Sequence, residues 1–84
     1  MDDKTSSYDV TLVKKKQVQE TLEEVCKSLK ERGYNSINQI VGYLISGDPG
    51  YISSYKDCRN KIEQFDRAEL LAVILEDYLN KWDA

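Results

Sequence analysis

A chain of 84 residues with 12 basic and 15 acidic side chains carries a net charge of −3 and a pI near 4.9, and so lacks the basic excess of a nucleic-acid binder. It contains no histidine, the side chain that titrates unperturbed near neutral pH, and this removes the usual serine-hydrolase, metalloprotease and zinc-site constellations. Two isolated cysteines, a polar start (Asp2-Asp3-Lys4-Thr5) and no long apolar run argue for a cytoplasmic, reducing setting, with no disulfide, metal, cofactor or membrane insertion.

Residues 1–13 read as a flexible N-terminal tail. Asp2 to Ser7 is polar throughout, and the weak alternation of Tyr8, Val10 and Leu12 supports at most a short strand. The remainder, 14–84, reads as one helical domain. A chain of this size forms only a marginal core, so self-association is the expected source of added stability.

The first helix is predicted from about Lys15 to Arg32. Val18, Leu22, Val25, Cys26 and Leu29 recur at three- and four-residue spacing on one face. Glu20 and Glu23 are placed to pair with Lys16 and Lys27 one turn away, and Gly33 supplies a left-handed stop. The run Lys14-Lys15-Lys16 reads as a solvated helix start, with an anion or partner contact as the functional alternative. Both cysteines read as small hydrophobes on helices.

A second helix follows Asn35, a good N-cap. Ile37, Ile40, Val41, Leu44 and Ile45 give it a wide apolar stripe, which predicts the central element of the fold. Gly42, costly in a helix interior, predicts close approach of another backbone, within the chain or across a dimer. Gly47 ends the helix. Asp48-Pro49-Gly50 is a turn or a short helix start with Asp48 as cap.

A third helix is predicted over Ser54–Gln64, capped by Ser53 or Ser54, with Tyr55, Cys58, Ile62 and Phe65 inward. Asp66 and Glu69 form a variant capping box ahead of the last helix, Arg67 to about Trp82. That helix carries more apolar residues than one narrow stripe needs. Part of its surface is expected to meet the second helix and part another subunit. Ile40, Val41, Gly42, Leu44, Leu71, Ile74, Leu75 and Tyr78 are therefore the candidates for core or dimer contact. Tyr34, Tyr43, Tyr51 and Tyr55 suit either core or surface. The fold class is all-α, about four helices with a flexible N-terminal tail, in an intertwined or closely packed homodimer.

Nothing in the sequence assembles a catalytic site. The Gly42–Gly47 spacing lacks the remaining elements of a dinucleotide or phosphate loop, and Glu23/Glu24 and Glu76/Asp77 are adjacent, solvated carboxylates. The protein is not expected to be an enzyme. The tail, in contrast, offers Thr5, Ser6 and Ser7 beside Asp2 and Asp3, where a phosphate would add about −1.5 to −2 charges.

The stretch from Gly33 to Ile52, GYNSINQIVGYLISGDPGYI, resembles the signature of the IreB/ReoM family of small regulatory phosphoproteins from Gram-positive bacteria. Lys56-Asp57-Cys58-Arg59-Asn60, Arg67, Glu69-Leu70 and Tyr78-Leu79 continue the likeness, which covers roughly residues 18–80. The resemblance implies a helical homodimer whose N-terminal threonine is phosphorylated by a membrane Ser/Thr kinase and restored by a partner phosphatase. It implies that the unphosphorylated form restrains peptidoglycan synthesis by promoting Clp-dependent proteolysis of the first committed enzyme of that pathway. On this likeness Thr5 is the phosphoacceptor, with Ser6, Ser7 and Thr11 as alternatives.

The chain departs from the family pattern at several places. Ser6 and Ser7 follow the threonine where apolar residues are usual, Ser36 replaces a proline, and Ser53-Ser54 a Pro-basic pair. Glu63 and Gln64 stand at positions often basic in relatives, leaving Arg59, Lys61 and Arg67 as the candidate partner-contact cations. Two other readings are a constitutive helical adaptor or structural subunit with no phospho-switch, and a helical DNA-binding regulator. The second needs a basic recognition helix, which neither the second nor the last helix supplies.

Overall fold

Thr11 accepts a hydrogen bond from the Lys14 amide through its hydroxyl (3.2 Å) and so caps α1, Leu12–Glu31. The computed structural model describes residues 11–83, and the expected phosphoacceptors Thr5, Ser6 and Ser7 lie outside them. The helix begins at Leu12 rather than near Lys15, and Leu12 is helical rather than part of a short strand. A strand there would need a partner for its backbone, whereas the capped helix satisfies its own. At the other end Gly33 is left-handed (φ 79°), and the Tyr34 and Gly33 amides return to the Leu29 and Lys30 carbonyls.

α1 is the central element, in place of the expected second helix. It touches α2 (Ser36–Ser46), α3 (Cys58–Glu63), α4 (Arg67–Asp83) and the 3-10 turn at Tyr55–Asp57. Its Val18, Val25 and Leu29 are fully buried, with Leu22 and Cys26 packed alongside. At 20 residues it is long enough to carry α4 on one half and α3 on the other. α2 has 11 residues, and its apolar side chains divide between two faces. Ile40 and Tyr43 turn inward, while Ile37, Val41 and Ile45 remain exposed.

The caps of α2 follow from local chemistry. Asn35 accepts from the Asn38 amide at 3.0 Å, and left-handed Gly47 returns its amide to Tyr43. Asp48 then accepts from the Gly50 amide at 2.8 Å and starts a 3-10 turn, Pro49–Tyr51. Within the chain, the approach that Gly42 permits is made by the ring of Tyr51 from this turn, not by another backbone.

The third helix is shorter than expected. Tyr55–Asp57 forms a 3-10 turn in which Lys56 and Asp57 both adopt left-handed backbone (φ 50° and 62°), and α3 begins only at Cys58. A continuous helix would fix one rotation for both halves. The left-handed pair instead lets Cys58 and Ile62 enter the core while Lys56 reaches back to Glu31. Such backbone costs on the order of 1 kcal/mol or more per residue. The Asn60 side chain donates to Asp57 at 2.8 Å and steadies the bend.

Before α4, Glu69 accepts from the Asp66 amide at 3.0 Å, the reciprocal half of the expected capping box. α4 rests on α1 rather than on α2, with Leu70 and Val73 in the core. Polar pairs fix this seat: Lys14 with Glu69, Lys15 with Glu76, and Gln19 with both oxygens of Asp77. Lys14 and Lys15 of α1 thus find carboxylates across the helix interface. The expected Lys16–Glu20 and Glu23–Lys27 pairs are absent among the described residues. The fold class is all-α as expected, with four α-helices and no strand among the described residues.

Candidate partner-binding site

Arg59, Lys61 and Arg67 were the cations singled out for partner contact, and each has an internal partner. α3 aims the half-buried Arg59 at the turn after α2, where its Nε donates to the carbonyls of Pro49 (3.1 Å) and Ile52 (2.9 Å). One guanidinium thereby binds the 49–52 turn to α3. Lys61, two residues nearer α3's end, pairs with Glu24 of α1 at 2.6 Å, and this hydrogen bond raises its pKa. Arg67, opening α4, donates to the Leu44 carbonyl at 3.1 Å near the end of α2. A cation suits that position because the last carbonyls of a helix carry unsatisfied negative charge. The three residues lie on two elements and do not converge on a pocket.

A second polar cluster forms where α1 ends. Lys56 pairs with Glu31 at 2.8 Å, and the Tyr55 hydroxyl donates to the same carboxylate at 3.3 Å. Arg32 lies over the Tyr55 ring at 4.9 Å, with Lys56 at 5.6 Å from it. The Lys56 hydrogen bond holds Glu31 below the usual carboxylate range, and Glu31 in turn raises Lys56. No sequence signal placed this cluster, because a left-handed Lys-Asp pair lacks the glycine or asparagine that normally announces such backbone.

The candidates for core or dimer contact separate cleanly. Ile40 is buried, and Leu44 packs against the core. Val41, Leu71, Ile74, Leu75 and Tyr78 are exposed, and Leu79 and Trp82 (73%) extend the same apolar surface to the end of α4. Tyr78 and Trp82 touch as a tilted aromatic pair, 6.2 Å between centroids. A second, shorter apolar strip lies on α2 at Ile37, Val41 and Ile45. Among the tyrosines, Tyr43 is core, and burial raises its pKa; Tyr34 and Tyr51 are exposed, and Tyr55 is intermediate.

Both cysteines are free thiols. Cys58 is fully buried and Cys26 partly so, and desolvation raises both pKa values, which suits small hydrophobes and not nucleophiles. Thr11, the described alternative acceptor, is exposed and serves as the α1 cap. Beside it, two shallow depressions of about 340 and 380 Å³ flank the start of α1. One is lined by Leu12, Val13, Lys16, Gln17 and Glu20, and the other by Lys14, Gln17, Glu20, Thr21, Gln64 and Phe65. No described helix is long and apolar enough to cross a membrane.

Among the described residues these surfaces combine ordered ion pairs, an aromatic–cation cluster and two apolar strips. The sequence model of a family described as IreB regulatory phosphoprotein matches residues 3–80, nearly the whole chain.

Proposed function

The chain belongs to the IreB family of regulatory phosphoproteins, and we propose that it acts without catalysis of its own, as the substrate of a membrane Ser/Thr kinase and a partner phosphatase. Thr5 is the acceptor in this reading, with Ser6, Ser7 and Thr11 as alternatives. The unphosphorylated protein restrains peptidoglycan synthesis by promoting Clp-dependent proteolysis of the first committed enzyme of that pathway, and phosphate relieves the restraint. It works in the cytoplasm as a homodimer, through protein contacts and without nucleic acid.

The observation that carries this reading is the family match itself, which takes in Asp3-Lys4-Thr5 as well as the helical domain. Dimerisation is supported by the apolar surface of α4 from Leu71 to Trp82, which a monomer leaves in water. Arg59, Lys61 and Arg67 are the proposed partner contacts, and their internal bonds fix the surface they would present.

The test is intact-mass spectrometry after incubation with the kinase domain, with fragmentation to place the phosphate. One phosphate on Thr5, absent from Thr5→Ala, is the expected result. No phosphate anywhere in residues 1–13 would overturn the switch and leave a constitutive adaptor.

A further inference from the structure

We propose that Lys14, Lys15 and Lys16 form an intramolecular receptor for a phosphate carried by the N-terminal segment, and that phosphate bound there competes with the carboxylates that hold α4 on α1. The proposal rests on the reading of that segment as phosphorylated, and it adds where the phosphate goes and which element responds.

The geometry begins with what these lysines now hold. Lys14 Nζ lies 3.1 Å from Glu69, and Lys15 Nζ lies 3.0 Å from Glu76 and 3.9 Å from Asp77. All three carboxylates belong to α4. Lys16 is exposed and lines the depression that also contains Leu12 and Val13, the first two residues of α1. Successive residues of a helix are rotated by about 100°, so the run presents cations both to α4 and to the open surface.

Reach and charge then favour a phosphate on the same chain. Residue 5 is six residues from Thr11, a span of at most about 20 Å, and Lys14 to Lys16 begin within one further turn. Residues 1–10 carry Asp2, Asp3 and Asp9 against Lys4, so a phosphate adding about −1.5 to −2 charges would roughly double their negative charge. A phosphate offers three strong acceptor oxygens where each carboxylate offers two, and its dianion outcompetes a lone carboxylate for a solvent-accessible ammonium. Glu20, which also lines both depressions, opposes it, as do Glu69, Glu76 and Asp77 themselves.

The consequence falls on α4. Leu70 and Val73 are its only fully buried large side chains among the described residues, so its seat depends in part on these polar pairs. Surface pairs are individually weak, so losing them changes how often α4 opens rather than whether it folds. The apolar surface from Leu71 to Trp82 moves with that helix, which links the phosphate to the proposed dimer face.

The test uses the full chain with phosphothreonine installed at residue 5 by codon reassignment, so it does not depend on any kinase. Phosphorus NMR should give a second phosphate pKa below that of the same residue in a peptide of residues 1–10. The shift should disappear in the Lys14→Gln/Lys15→Gln/Lys16→Gln variant and persist in Lys27→Gln/Lys30→Gln. Amide exchange across residues 71–79 should quicken by roughly threefold to tenfold on phosphorylation, the range expected for one or two surface pairs. The single variant Lys16→Gln leaves the α1–α4 pairs intact, and it should reduce the pKa shift even if the triple variant proves too unstable to measure. A phosphate pKa equal to that of the peptide, one indifferent to these lysines, or unchanged exchange in α4 would overturn the proposal. A lack of kinase labelling would instead overturn the phosphoprotein reading above and leave these measurements intact.

Discussion

The ring of Tyr51 occupies the space where a side chain at Gly42 would stand: a Cβ built there meets three ring carbons, with Cε1 at 2.9 Å. Gly42→Ala would gain about 1 kcal/mol of helix propensity and lose about 1–3 kcal/mol to overpacking. The single substitution is therefore expected to lower stability by about 1 kcal/mol. Because Tyr51 is half exposed, truncating it removes the obstruction at modest cost. In Tyr51→Ala, the added Gly42→Ala should stabilise rather than destabilise. Urea denaturation of the four-member cycle reads this sign change directly; gains in both backgrounds would show that the ring simply moves aside, and parallel losses that the ring is not what excludes a side chain there.

Arg59 holds two backbone carbonyls from a half-buried position; its loss leaves the Ile52 carbonyl without this donor, while the Pro49 carbonyl keeps the Ile52 amide. Arg59→Ala should cost about 2 kcal/mol, in the range of a charge-assisted hydrogen bond. Lysine should not restore it, because the Nε–H that meets both carbonyls belongs to the planar guanidinium. Equal midpoints for Arg59→Lys and the parent in a denaturant titration would contradict this role. A defect in partner binding by Arg59→Ala would then have to be separated from loss of the 49–52 turn.

The contrast between these two sites shows what the sequence could reveal. Asn35, Asp48, Glu69, Gly33 and Gly47 do locally what their types predict, because a cap or a left-handed stop is decided within four residues. The inward positions Val18, Val25, Leu29, Cys58 and Ile62 were likewise legible from spacing. The central role of α1 was not, because α2 is the more apolar helix, and only the packed chain shows that Ile37, Val41 and Ile45 face outward. The bend at Lys56 and Asp57 was also hidden. It is sustained by Glu31, 25 residues from Lys56, together with the Asn60–Asp57 hydrogen bond, and nothing in the residue type of Lys56 favours it. Of the candidate site, the sequence located the cations but not their internal partners, and the proposed acceptor Thr5 lies outside the described residues.

Two carboxylates set a sign for acid stability. Glu69 is held below its ordinary value of 4.5 first by the Asp66 amide and then by Lys14, and Glu31 by the Lys56 hydrogen bond. The folded state therefore binds fewer protons than the unfolded chain below pH 4.5. The contribution is fully present above that value and is lost as pH falls through the lowered folded values. Glu31 is exposed and Glu69 partly so, and solvent therefore keeps the slope shallow. Glu69→Gln should reduce the fall in Tm between about pH 5 and pH 3, with Lys56→Met acting similarly through Glu31. An unchanged pH profile in both variants would assign acid sensitivity to other carboxylates.

The apolar surface of α4 distinguishes a dimer contact from a merely tolerated exposure. Leu75, Tyr78, Leu79 and Trp82 are each more than half exposed, yet Leu70 and Val73 on the same helix are buried against α1. Leu75→Glu together with Tyr78→Glu should leave helix content and thermal reversibility close to the parent, since neither side chain supports the described core. If a second copy covers this face, burying carboxylates there costs several kcal/mol per unpaired charge, and the double variant should sediment as a monomer at concentrations where the parent is dimeric. Ile45→Glu, on the outer strip of α2, separates the two faces: monomers from this substitution with an intact dimer in the α4 variant would move the interface to α2. A parent chain that is already monomeric at micromolar concentration would remove the dimer from the proposed function.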